Sequence, residues 1–228
     1  SAGSGDMLFV KLNQTTGAAT WVRTGGGTLD DQIKSIASDG SNSIYVVGYA
    51  QGTGTLDSTA TLQSSSYTAK STDMFIARYT SEGRLMWKRL NGDIGMDQAY
   101  GVNVNENIIL MSGYFSGSVT FNQTTINSGS TTNNDTGFFV YDSDGNPLTA
   151  ESLSGSGEDR GQGIAYDPDG FTYIGGYFKS PTLTAGTFTL TNASASKDVF
   201  VAKYQNPFTA IFTTADNISC FGANDGAL

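Results

Sequence analysis

The side chains of this chain that could carry chemistry are mainly aspartates, and they recur. Asp31, Asp97 and Asp159 each open a short apolar run and are followed by Gln32, Gln98 and Arg160. A ring of such carboxylates could gather a cation. Alternatively, each could accept hydrogen bonds from backbone amides of an adjacent loop. Catalytic groups in a repeated chain are usually unique, so the recurrence points to structure. Two further stretches, Asp142-Ser143-Asp144-Gly145-Asn146 and Asp167-Pro168-Asp169-Gly170, invite a calcium reading. Calcium takes about six to eight oxygens, and the EF-hand loop needs Gly at its sixth place and Glu at its twelfth. Here Gly is fourth in both stretches and Glu151 is tenth from Asp142, so the pattern fails. Asp, Asn and Gly in this order make hairpin turns instead, with Gly supplying the positive φ.

Other chemistries find little footing. There is no histidine, which removes Ser-His and Cys-His pairs and histidine-rich metal sites. Glu82, Glu106, Glu151 and Glu158 are the only glutamates. A glycosidase-type carboxylate pair is the one catalytic arrangement left open. Gly25-Gly26-Gly27 lacks the Lys-Ser/Thr and the helix of a phosphate loop. Cys220 is the only cysteine, so no intrachain disulfide forms, and no basic cluster surrounds it in sequence. No catalytic residue, metal or cofactor is expected. Among aromatics, Tyr67 and Phe178 lie outside the repeat phase described below and are the candidates for stacking on a sugar. Tyr49, Tyr114 and Tyr177 keep that phase and are expected in the core or between repeats.

Charge narrows the partners. The net charge is −9, with 12 scattered lysines and arginines. A nucleic-acid footprint needs a clustered basic face, and docking on anionic lipid needs the same. No apolar run approaches the roughly 18 residues that span a bilayer. Charged residues are only 14% and glycines number 29, a composition that suits a β-rich extracellular protein. No ten-residue stretch carries helical periodicity.

The elements that must hold these residues follow from an internal repeat, which is the first thing to seek in such a chain. Asp73-Met74-Phe75-Ile76-Ala77-Arg78-Tyr79 has counterparts beginning at Asp6, Asp135 and Asp198, spaced 67, 62 and 63 residues apart. Gly48, Gly113 and Gly176, each followed by the tyrosines named above, are 65 and 63 apart. One period parses into strands at 33–37, 44–49, 74–79 and 85–90, with turns at Ser38-Asp39-Gly40-Ser41 and Thr80-Ser81-Glu82-Gly83. The Gly/Ser/Thr-rich stretch from Gln51 to Ser71 reads as an extra hairpin at the edge. The fold expected is all-β: a β-propeller of four-stranded antiparallel blades. Its region is 1–205, with a partial blade at 5–27, blades at 28–92 and 93–155, and a partial blade at 156–205. Residues 206–228 read as a last strand or linker into a following β domain. Propellers close with about four to eight blades, so about three and a half imply part of a larger propeller.

These residues resemble a known family. Asp198-Val199-Phe200-Val201-Ala202-Lys203-Tyr204, Asp31-Gln32 with Ile36-Ala37-Ser38-Asp39, and Tyr45-Val46-Val47-Gly48-Tyr49 look like the bacterial SBBP β-propeller repeat. Trp21 and Trp87 match its tryptophan, whereas Thr149 stands near that place in the third copy, which also lacks the Ala-Lys pair. That copy is therefore expected to pack differently. Ile218-Ser219-Cys220-Phe221-Gly222-Ala223-Asn224-Asp225-Gly226-Ala227 is similar to the start of an SprB repeat, a β domain of bacterial surface adhesins. Together the resemblances imply a large, secreted, multidomain surface adhesin of the gliding-motility kind, exported by a type IX system. They imply partners among neighbouring domains of the same protein and surface glycans or cell-surface proteins. A purely structural spacer or cap and, less favoured, a polysaccharide-active propeller are the alternatives.

Overall fold

The computed structural model describes residues 5–57, 65–194, 196–205 and 209–210. Among them there is no helix, and the paired strands are antiparallel. A first hairpin joins β1 (Met7–Leu12) to β2 (Ala19–Gly27). The first complete sheet runs β3 (Gln32–Ser38), β4 (Ser43–Thr55), β5 (Ser66–Thr80), β6 (Leu85–Asn91), each strand paired with the next. The second has β7 (Gln98–Asn105), β8 (Ile108–Phe115), β11 (Asp135–Asp142) and β12 (Pro147–Leu153) in that order. Between its middle strands a separate hairpin pairs β9 (Ser118–Phe121) with β10 (Thr124–Asn127). The third sheet repeats the order with β13 (Asp159–Tyr166), β14 (Phe171–Phe178), β17 (Asp198–Gln205) and β18 (Thr209–Ala210). Its inserted hairpin is β15 (Thr182–Ala185) with β16 (Phe188–Thr191).

The inserted hairpin is thus present in the second and third sheets and differs in the first. There β4 and β5 run on together, pairing as far as Thr55 with Ser66, and the far end of β4 also meets β2. Residues 58–64 lie outside the described part. The third copy of the Asp-led strand, β11, pairs with β8 and β12 just as β5 pairs with β4 and β6, although the tryptophan and Ala-Lys pair are missing. The SprB-like stretch and Cys220 also lie outside the described residues.

Strand parity distributes the core. In β5 the side chains of Phe75, Ala77 and Tyr79 join a cluster with Met7, Phe9 and Val46, while Met74 and Ile76 join another with Val102, Met111, Phe139 and Tyr141. In β11 Phe138 and Val140 face a third cluster with Ile174, Phe178, Phe200 and Tyr204. The first and second complete sheets are therefore layers between two cores, which is why their middle strands are apolar on both faces, whereas the third packs on one core only. Burying each large apolar side chain contributes about 1.5–3 kcal/mol. The first strands lie side by side, β3 against β7 and β7 against β13.

The Gly-Tyr landmarks have a steric origin. Each first strand carries a bulge, between Ile33 and Ser35, Ala99 and Gly101, and Gly161 and Gly163. Opposite each bulge stands Gly48, Gly113 or Gly176, where a Cβ would run into the carbonyl oxygen of Gln32, Gln98 or Arg160. A bulge re-aims the extra side chain, here Lys34, Tyr100 and Gln162, outward from the layer.

Candidate functional site

The recurring aspartates sit at the seams between sheets. Asp31, Asp97 and Asp159 are fully buried. Asp31 accepts from the Gly27 and Gln51 amides at 2.8 Å each. Asp97 accepts from Asp93 N–H at 3.1 Å and Ser116 N–H at 3.2 Å. Asp159 accepts from the Lys179 and Ser180 amides at 3.1 Å and from the Ser180 hydroxyl. This is the amide-acceptor role, repeated at each seam. Their own amides cross the seams, donating to the carbonyls of Gly5, Thr72 and Asn134. That places Asp97 beside Asp73, and Asp159 beside Asp135. Both Asp73 and Asp135 are buried, whereas Asp198 is half-buried at the start of β17.

The acidic turns behave as hairpins. Asp142 Oδ1 accepts from the Asp144 and Asn146 amides, and Gly145 takes φ 77°. Asp167 Oδ1 accepts from Phe171 N–H, and Gly170 takes φ 92°.

The two sugar-stacking candidates are corrected by burial. Tyr67 is 5% exposed and Phe178 0%, so neither offers a ring face to a ligand. Tyr67 belongs to the extended part of β5 and packs in the first core, its phenol pushed up by burial and then by the Asp31 carboxylate beside it. Phe178 follows Tyr177 as Phe115 follows Tyr114, and both phenylalanines are core.

The landmark tyrosines form a row with cations along the first strands. Lys34 Nζ lies 5.4 Å from the Tyr49 ring and 5.3 Å from Tyr100, and Arg160 lies 4.2 Å over Tyr114. The Tyr49 hydroxyl donates to Asp30 at 2.6 Å and that of Tyr177 to Glu158 at 2.8 Å. Burial first, and then the Glu158 acceptor, push the Tyr177 phenol up to about 12. Glu158 also pairs with Arg160 at 2.9 Å and with Lys179. The row is cross-linked by polar side chains: Lys34 further donates to Gln32 and Gln32 to Asp30.

A groove of about 560 Å³ opens where the loop after β6 meets the β9–β10 hairpin. Asp93, Ile94, Ser118, Asn127, Ser130 and Thr131 line it, with Gly117 and Gly129 in its floor. Ile94 is 71% exposed there, a bare apolar side chain among hydroxyls, an amide and a carboxylate. Ser130 is held by Ser128 and orders its own loop by accepting from the Thr132 and Asn133 amides. Such a lining suits a small polyhydroxylated ligand, which needs several short polar partners and one apolar contact. Sequence reasoning passed over these residues. The available signal was Ile94, which with Met96 puts large apolar residues in a short Gly/Asp loop between two copies of the repeat. No group of three or more Asp, Glu, His or Cys side chains among the described residues forms a ready metal cage. No helix among them is long and apolar enough to cross a membrane. Neither the protein-family models nor the curated proteins yield a match to this chain.

Proposed function

We propose that these sheets are blades of a β-propeller and that the chain is the non-catalytic propeller region of a large secreted bacterial surface adhesin. Its rigid repeated scaffold presents loops that bind a surface glycan or polymer, and its neighbours are domains of the same protein. The observation that carries the ligand reading is the groove at the β9–β10 hairpin, a polar cleft with one exposed apolar residue set on an otherwise repetitive frame. Loops on rigid scaffolds are where binding commonly resides. The surface setting rests on the resemblance to SBBP and SprB repeats, and the blade reading on the recurring order of strands and the contact between successive first strands.

The test is a glycan array probed with the chain, followed by titration of each hit. Asn127→Ala, Thr131→Ala and Ile94→Ser should each weaken binding about tenfold, the loss of roughly one good contact. All three positions are exposed or at the groove rim, so the melting temperature should hold. A silent array, or hits unaffected by all three changes, would rule this groove out. A spacer or cap within a surface filament is the second reading, favoured by the uncovered apolar faces at Leu8 and Val201, which are 63% exposed. Array silence together with burial of those faces in a neighbouring domain would establish it.

A further inference from the structure

We propose that the two seams between successive complete sheets are divalent-cation sites, each built from a pair of buried aspartates: Asp73 with Asp97, and Asp135 with Asp159. Calcium is the cation that fits. The inference is independent of the groove and of any glycan.

At the first of these seams Asp73 is 4% exposed and Asp97 0%. Asp97 uses both oxygens on amides, and Asp73 Oδ2 accepts from Lys70 N–H at 3.1 Å. Asp73 Oδ1 has no hydrogen-bond partner, although it is shut away from solvent. It is aimed at Asp97. The point where Gly92 would carry a Cβ lies 2.8 Å from Asp73 Oδ1 and 2.6 Å from Asp97 Oδ2. The two oxygens thus converge on the bare side of a glycine. The second seam sets Asp135 and Asp159 about Gly155, 63 residues on from Gly92; the Gly155 amide donates to Asp135 Oδ1 at 3.3 Å. Asp135 is 1% exposed, and its Oδ2 is again buried without a partner. Asp159 Oδ2 lies 2.6 Å from the Gly155 Cβ point, and the Ser180 hydroxyl adds another oxygen.

Two carboxylates closed off together are strongly unfavourable unless something offsets the charge. At the first seam Lys70 is committed to Asp93 at 2.8 Å, and at the second Lys179 is committed to Glu158. The donors are all oxygens, with no imidazole or thiolate, which selects a hard cation over zinc or copper. Two carboxylates per seam are fewer than a dedicated calcium loop supplies; backbone carbonyls and water must complete the shell. Affinity should therefore fall near the extracellular class, about 10⁻⁴–10⁻³ M. At the seam between β2 and β3 the Tyr67 phenol lies beside Asp31, and that seam is not included.

The experiment titrates calcium into the chelator-treated chain by calorimetry and follows the melting midpoint. About two ions should bind, and about 5 mM calcium should raise the midpoint by about 5 °C, with a much smaller response to magnesium. Asp73→Asn and Asp135→Asn should each remove one binding event and about half of the thermal response, while Glu106→Gln, at an exposed turn, should leave both intact. Wild-type protein that binds no calcium and melts at the same temperature with and without it would overturn the proposal. So would binding that survives both asparagine changes together. Because the wild-type titration is decisive alone, a variant that fails to fold does not blunt the test.

Discussion

Asp97 and Asp135 are carboxyls closed off from water with a second carboxylate alongside. Burial, and then Asp73 and Asp93 for the first and Asp159 for the second, push each up to about 7, against amide donations that pull the other way. Asp73 and Asp159 are raised as well, also by burial first. Lys70 faces Asp73, and Glu158 faces Asp159. A folded-state value above the unfolded one gives stability that is complete below the unfolded value of 3.8 and lost as pH rises through about 7. The chelated chain should therefore melt about 5 °C lower at about pH 8 than at about pH 5. Asp39, Asp142 and Asp167 are held low by turn amides, and their contribution is lost instead as pH falls below the ordinary carboxylate range. A melting temperature that climbs steadily from pH 5 to 8 in chelator would contradict this account. The amide-acceptor role of Asp31, Asp97 and Asp159 was legible from recurrence alone. Their pairing with Asp73 and Asp135 was not, because it joins positions that fall in different copies of the repeat and meet only across a seam.

Between elements, the tryptophan of one sheet grips the turn of the next. Trp21 Nε1 donates to Ser81 O at 3.1 Å, and Trp87 Nε1 donates to Ser143 O at 3.0 Å. The ring lies flat against Gly83 in one case and Gly145 in the other, both at positive φ, so no side chain fits between. Trp87 also meets Tyr45 of its own sheet at 6.0 Å and Tyr141 of the next at 6.4 Å. Trp87→Ala should cost about 3 kcal/mol, as lost area plus a cavity, and Trp87→Phe about 1 kcal/mol, as one hydrogen bond. Chemical denaturation with an unchanged m-value measures both; a Trp87→Phe variant as stable as the wild type would show that the indole N–H contributes nothing. The recurrence of Trp, turn glycine and four strands per copy could be read directly, and the strand ends at the turns came within a few residues, whereas β4 ends six residues later and β5 begins eight residues earlier than read. Which neighbour the tryptophan touches could not, since periodicity states phase and not partner. The same limit misplaced Tyr67 and Phe178. A residue outside the repeat phase looks free, but β4 and β5 extend past the repeat and bury Tyr67, while Phe178 repeats Phe115 one place after the Gly-Tyr pair.

Across the whole molecule, the seams are directional, and that property reaches the outer sheets. In β5 the side chains of Met74 and Ile76 are fully covered by the next sheet, as are Thr136 and Phe138 in β11. Val199 and Val201 hold the same places in β17 and are 58% and 63% exposed. On the opposite side, Phe75 and Tyr79 of β5 are 0% and 3% exposed, whereas Leu8 and Leu12 hold those places in β1 and stand 63% and 58% exposed. One bare face is thus of the kind that each internal seam presents forward, and the other of the kind it presents backward. Two copies of this chain can therefore meet head to tail through the contact already made inside each copy. Such a contact is heterologous, so it closes into a ring or grows into a filament according to the angle per sheet. The chain should self-associate at about 100 μM, an ordinary range for a modest apolar interface. Val199→Lys with Val201→Lys should return it to monomer without lowering its melting temperature, because both side chains already stand in water. Sedimentation velocity of the two proteins over a range of concentrations decides the matter: a wild-type monomer throughout would show that these faces do not complement one another, and an unfolded double variant would show that they are part of the internal core.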